Sequence, residues 1–183
     1  MNVFYQQALR ELAVVLENLN ENTVQQGLDL IQHARRISLY GVGREGLQIK
    51  GFAMRLYHLG LRASVVGEMT TPPLAQGDLL IVSAGPGWFS TVDALLNTAR
   101  QAGAATLCIT AQPAGVSALK ADRIITLPAQ TMADAEDTAG SVLPLGSLYE
   151  GALFLLFENI IVQLQQALAI SAAVMSANHT NLE

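Results

Sequence analysis

The chain reads as an α/β protein, a three-layer, doubly wound sheet of five parallel strands with helices on both faces. Short apolar runs recur along the sequence, each followed by a helical pattern, as strands buried on both faces of a parallel sheet require. Two of the runs, Ile37–Tyr40 and Leu79–Val82, end in glycine turns, Gly41–Gly46 and Gly85–Gly87, from which helices start. Strand, turn and helix in that order make the crossover unit of a parallel sheet. The first N–H groups of each such helix have no partner within it and attract anions, phosphate above all. Two of these turns imply one pocket at the carboxyl ends of neighbouring strands.

Residues 3 to 33 predict two helices, or one broken near Asn18–Asn20. Leu9, Leu12, Val15 and Leu16 carry the spacing, and Asn22 or Thr23 offers a cap for the second. After the Ile37–Tyr40 strand, a helix from about Leu47 to Leu59 sets Phe52, Leu56 and Leu59 on one side and stops at Gly60. Arg62–Val66 is a second strand, followed by a loop with Glu68 and the run Thr70–Pro73. The central strand, Leu79–Val82, feeds a helix from Ser90 to about Ala102, with Val92, Leu95, Leu96 and Ala99 on its apolar face. Ala105–Thr110 and Arg123–Leu127 are further strands, with a short helix at Pro113–Leu119 between them. The next roughly fifteen residues predict a loop, of a length that usually serves function or mobility. Pro144–Gly146 leads into a long helix from Ser147, and residues 172–183 read as a polar tail. A single domain over 1–183 is expected, with an N-terminal helical segment 1–36, an α/β core with its long helix at 37–170, and a tail at 171–183.

Of the 183 residues, 51% are hydrophobic and 14% charged. So little charge implies apolar surface covered by further copies of the chain, and a homo-oligomer is expected. A net charge of −5 speaks against nucleic acid, because no basic stripe is available to neutralise phosphates. The lone Cys108 reads as a small buried apolar residue. The longest apolar stretch, Ala152–Val174, is interrupted by Glu158, Asn159, Gln163, Gln165 and Gln166, which favours a helix buried in an oligomer over a membrane span. No secretory signal pattern precedes the core, so a cytoplasmic location is expected.

Gly41-Val-Gly43-Arg-Glu-Gly46 matches G-x-G-x-x-G, and Glu68 follows where a ribose-binding acid would sit. Nucleotide binding on that pattern leaves the second glycine turn unexplained, and the chain has no room for a separate catalytic domain. A longer pattern is more specific. I-S-L-Y-G-V-G-R-E-G-L-Q-I-K-G-F-A-M-R-L-Y-H-L-G, V-V-G-E-M-T-T-P-P, L-P-L-G-S-L-Y-E and the ending H-T-N-L-E together resemble the sugar isomerase (SIS) domain, and within it the 6-phospho-3-hexuloisomerase group. The resemblance implies a flavodoxin-like sheet and a tetramer or dimer with sites between subunits. It also implies no metal or organic cofactor, a sugar phosphate as ligand, and transfer of a carbonyl from C3 to C2 of a hexulose 6-phosphate through an enediolate. A non-catalytic sugar or sugar-phosphate binding protein on the same fold is the alternative.

Such a reaction needs a base beside the carbonyl, an acid, and help with the enediolate charge. Glu150 matches the family's base, although Ser147-x-x-Glu150 also reads as a capping box. His58 matches a histidine that reaches into a neighbouring subunit's pocket, and equally a last-turn histidine before Gly60. His179 enters through the H-T-N-L-E match, whereas His33 reads as a solvated helix residue. Arg44 and the helix starts after Gly43 and Gly87 are expected to hold the anionic end. Gly41, Glu45, Ser83, Gly85, Trp88, Ser90 and Thr91 complete the expected ligand contacts. Two departures stand out. The family's first loop usually places serine where this chain has Glu45, and its second loop, usually S-G-S-G-x-T, is here Ala84-Gly85-Pro86-Gly87-Trp88-Phe89, with Pro86 lacking an N–H and Ser83, Ser90 and Thr91 left nearby as donors. A carboxylate facing a phosphate at 4 to 5 Å costs on the order of one to a few kcal/mol. Trp88 is free to stack on a sugar ring, plug the cradle or make a subunit contact.

Overall fold

The computed structural model describes residues 2–137 and 141–182, with the side chains of 135–137 left aside. Part of the expected loop, 138–140, and the final Glu183 of the H-T-N-L-E match lie outside the described residues. The strands are β1 (Ile37–Gly41), β2 (Ala63–Val65), β3 (Leu79–Ser83), β4 (Ala105–Thr110) and β5 (Arg123–Thr126). They pair in parallel in the order β2-β1-β3-β4-β5. The helices are α1 (Val3–Glu17), α2 (Glu21–His33), α3 (Gly43–His58), α4 (Ser90–Gln101), α5 (Ser147–Ala167) and α6 (Ala172–Ala177). The expected doubly wound sheet is present.

Side-chain alternation along β3 divides the interior. Leu79 and Ile81 join one core with α2, α3 and α5, while Leu80 and Val82 join a second with Val92, Leu96 and Ala99 of α4. On the larger side, Phe52 of α3 stacks on Phe157 of α5 with ring centroids 4.2 Å apart. Cys108 is buried in the smaller core, as its setting predicts, and burial, with a smaller push from Glu45, lifts its thiol to about 12. Since α3 and α4 leave β1 and β3 on opposite faces, a crevice opens between those strands at their carboxyl ends.

Several boundaries differ from the expected ones, each for a local reason. Asn20, not Asn22 or Thr23, caps α2, its side chain accepting from Asn22 N–H. Helix α3 begins at Gly43, four residues early, because Gly46 lies against the end of β1: a Cβ there would stand 2.6 Å from Gly41 O. The expected Pro113–Leu119 helix is reduced to a 3-10 turn, Ala118–Lys120. The expected polar tail contains α6, capped by Ser171.

Helix α5 is apolar and long enough to cross a membrane, yet half of it is buried in this fold and its Glu158 pairs with Arg55 at 3.0 Å. Phe154, Leu155 and Val162 of α5 remain exposed, as do Leu9 and Val14 of α1, which packs beside it.

At the opposite end of the sheet, Asp78 fastens the start of β3. Its buried carboxylate accepts from Arg36 at 2.8 and 3.3 Å, from Arg35 at 3.0 and 3.1 Å, and from Ala75 N–H at 2.9 Å. Arg36 above all, then Arg35 and the Ala75 amide, hold its carboxyl down at about 2 against the effect of burial. A folded-state value below the unfolded one adds stability above the unfolded value and loses it as pH falls. Asp78→Asn is therefore expected to lose on the order of 2 kcal/mol at neutral pH. In urea titrations it should also lack the wild type's decline in stability between the ordinary carboxyl value of 3.8 and about 2.

Candidate active site

Three helices begin at the crevice, and none has a side-chain cap. Val42 precedes α3, Phe89 precedes α4 and Gly146 precedes α5, each without a capping hydrogen bond from its side chain. Helices α1, α2 and α6 are capped by Asn2, Asn20 and Ser171. The three uncapped residues line one cavity of about 230 Å³, with Gly43, Arg44, Glu45, Pro86, Thr131, Met132, Tyr149 and Glu150. Uncapped helix starts facing a common space favour an anion there. A larger, open groove of about 420 Å³ crosses the amino ends of β3 to β5, the end of a parallel sheet where ligands rarely bind.

Gly146 sits at φ 84° and Leu145 at φ 55°, so the chain enters α5 through two left-handed residues. Ser147 is consequently the first helical residue rather than the cap, and the Ser147–Glu150 capping box does not form. Glu150 instead turns to the cavity, where Arg44 Nε lies 3.1 Å from its Oε1. Arg44 also donates to Ser147 Oγ at 3.1 Å and to the Leu145 carbonyl. Burial raises the Glu150 pKa, and Arg44 pulls the other way. A carboxylate that is part-buried yet open to the cavity suits a base at neutral pH.

Glu45 lies deeper. Its carboxylate accepts from Ser83 Oγ at 2.6 Å and from Gly85 N–H at 3.0 and 3.2 Å. Tyr149, fully buried, donates to Ile109 O at 3.1 Å and lies 3.2 Å from Ser83 Oγ. Burial raises the Glu45 pKa, Ser83 and Gly85 lower it, and Glu150 adds to the rise. The Tyr149 hydroxyl is held well above its usual value by burial first and Glu45 second.

The expected site residues thus fall into four groups. Gly43, Arg44, Glu45 and Glu150 line the cavity, and Ser83 and Gly85 support it from behind Glu45. Gly41 packs on Gly46, and Gly87, at φ 86°, packs on Gly115, whose own Cβ would lie 2.4 Å from Gly87 Cα. Trp88, Ser90 and Thr91 are exposed and lie outside the described lining.

His58 and His179 are brought together, but elsewhere. Their rings lie 5.0 Å apart at the far end of α3, where Asn178 donates to His58 O at 3.0 Å. The helix runs 16 residues from Gly43 to that end, a length of about 24 Å. Glu68, the candidate ribose acid, lies in another groove beside Arg62 and Ser64. Sequence reasoning missed Tyr149, Thr131 and Met132; the length of the loop before α5 was the one available signal for the last two. Among the described residues, no group of three His, Cys, Asp or Glu side chains is placed to hold a metal ion.

Residues 30–145 match the model of the SIS domain. The chain belongs to that family. It is 34% identical over 178 residues to a protein of Bacillus subtilis (strain 168) named 3-hexulose-6-phosphate isomerase, covering 96% of this chain and 95% of that one. A Mycobacterium gastri protein of the same name is 36% identical over 148 residues, 81% of this chain and 74% of the other. Among solved structures, a hypothetical protein of Methanococcus jannaschii, whose structure was taken to infer 3-hexulose-6-phosphate isomerase function, superposes with a TM-score of 0.85 at 26% identity, covering 98% of both chains.

Arg44→Met removes the one cation that opposes burial at Glu150. Its pKa is expected to rise further, read as a shift of the Glu150 carboxyl ¹³C titration to higher pH; an unchanged curve would show that Arg44 leaves this carboxylate alone.

Proposed function

We propose that this chain is a phosphosugar isomerase of the 6-phospho-3-hexuloisomerase type, interconverting a 3-hexulose 6-phosphate and fructose 6-phosphate. The observation that carries the reading is a part-buried carboxylate, Glu150, paired with Arg44 at the wall of a cavity into which three uncapped helices open. The two relatives named above for this isomerisation support it, whereas nothing favours the non-catalytic alternative.

Glu150 takes the proton from C2 of the substrate while charge develops on the C3 oxygen. The resulting 2,3-enediolate is stabilised by Arg44, beside Glu150, and the amide dipoles at the start of α5. The carboxyl of Glu150 then returns the proton to C3 while the hydroxyl proton of the C2 oxygen passes to the C3 oxygen, so that the C2 oxygen becomes the new carbonyl and the C3 oxygen a hydroxyl. The electron pair stays within the substrate and its protons move only between carbon, oxygen and side chains, so the step as written calls on no metal or organic cofactor. The phosphate is held by the N–H groups at the starts of α3 and α4.

His58, at the last turn of α3, and His179 beside it lie too far from the cavity to serve it within their own protomer. In this reading they enter the cavity of a neighbouring subunit, where they polarise the carbonyl or move hydroxyl protons. The protein is then a cytoplasmic homo-oligomer, dimer or tetramer. The exposed apolar side chains of α1 and α5 are the surface offered to a second copy.

A coupled assay for fructose 6-phosphate tests the chemistry. Wild-type protein should turn over 3-hexulose 6-phosphate, and Glu150→Gln should lower kcat by about 10² to 10⁴; normal turnover in that variant removes the proposed base. Mixing Glu150→Gln with His58→Ala tests the shared site. Partial recovery of activity on subunit exchange is expected, and none is expected if each protomer works alone.

A further inference from the structure

The turn from Ser83 to Gly87 has few donors, and those it has are engaged. Ser83 O–H donates to Glu45 Oε2 at 2.6 Å, and Gly85 N–H donates to the same carboxylate at 3.0 and 3.2 Å. Pro86 has no N–H, and Gly87 N–H donates to Ala84 O at 2.8 Å. The turn is therefore holding an anion already, and that anion is the chain's own. Glu45 is only 8% exposed, yet it lines the cavity with Gly43, Arg44 and Glu150. An external anion in so small a space meets the Glu45 carboxylate at close range.

We propose that Glu45 is a specificity residue that couples anion binding in this cavity to uptake of a proton, a doubly charged ligand entering only as the Glu45 carboxylate becomes neutral. The inference rests on reading the cavity as the seat of a sugar phosphate and concerns how that seat chooses its ligand. The groups facing Glu45 make proton uptake the easier response. Glu150 and Tyr149 approach from α5, Cys108 from β4 and Ser83 from β3, while the guanidinium of Arg44, on Glu45's own helix, pairs with Glu150 rather than with Glu45. Burial already favours the neutral acid, and a second negative charge favours it further. A protonated Glu45 keeps its bond from Gly85 and presents an O–H to Ser83 or to the ligand. A neutral sugar needs no such proton, so the device discriminates between ligands by charge.

The probe is inorganic sulfate, which stays doubly charged near neutral pH, followed through the backbone amide resonances of Gly43, Gly85 and Gly146. Wild-type affinity should fall by roughly tenfold for each pH unit above the Glu45 pKa. Glu45→Gln should lose that slope and bind sulfate at least about tenfold tighter at the alkaline end of the series. Glu150→Gln should keep the slope. Identical affinities and slopes in wild type and Glu45→Gln would overturn the proposal, as would transfer of the slope to Glu150, or no sulfate binding to wild type or Glu45→Gln at any pH. If Glu45→Gln does not fold, Glu45→Ser takes its place with the same expectations. Because the titration needs no turnover, a protein without isomerase activity could still pass it, and an active isomerase could still fail it.

Discussion

The carboxylate of Glu45 joins two parts of the fold that the chain delivers separately. It belongs to the first turn of α3, above one face of the sheet, and its partners Ser83 and Gly85 belong to the end of β3 and the turn toward α4 on the other. A parallel sheet whose helices diverge at neighbouring strands must open there, and nothing in the strand pairing sets how wide. The bonds to Glu45 set it, fixing Val42 to Arg44 on one wall against Pro86 and Phe89 on the other. The three uncapped helix starts face one another across a defined gap because this link spans its floor.

Two carboxyl groups share the cavity, and their surroundings assign them different work. Glu150 lies at the wall with a guanidinium beside it, so it can carry charge and exchange protons with a ligand. Glu45 lies beneath, bonded to a hydroxyl and an amide, with burial as the largest influence on its titration. In the proposed reaction, separation of this kind suits Glu150 to act as the base and Glu45 to govern the local charge.

Much of the fold was legible because its signals are local. β3 is a continuous apolar run since both its faces are buried, and α4 follows the spacing of Val92, Leu96 and Ala99. The early start of α3 was hidden, because Gly43, at φ 57°, and Gly46 both argue against a helix, although Gly46 serves close packing against Gly41. The capping box failed at Gly146, whose left-handed turn moves the helix start by one residue, a detail that the motif does not encode. In the site, Arg44 and Glu150 were visible as residue types at expected places. The inward turn of Glu45 was not, since its partners lie 38 and 40 residues away. Tyr149 passed as part of an apolar run until the fold brought its hydroxyl to Ile109 and Ser83.

The left-handed Leu145 has a consequence for how this protein can change. A residue with a side chain in that conformation carries roughly 1 to 2 kcal/mol of strain, which glycine would relieve. Selection for heat tolerance would find an easy gain there. The same relief would loosen the carbonyl that accepts from Arg44, so a hardier variant at this position would hold the guanidinium beside Glu150 less firmly.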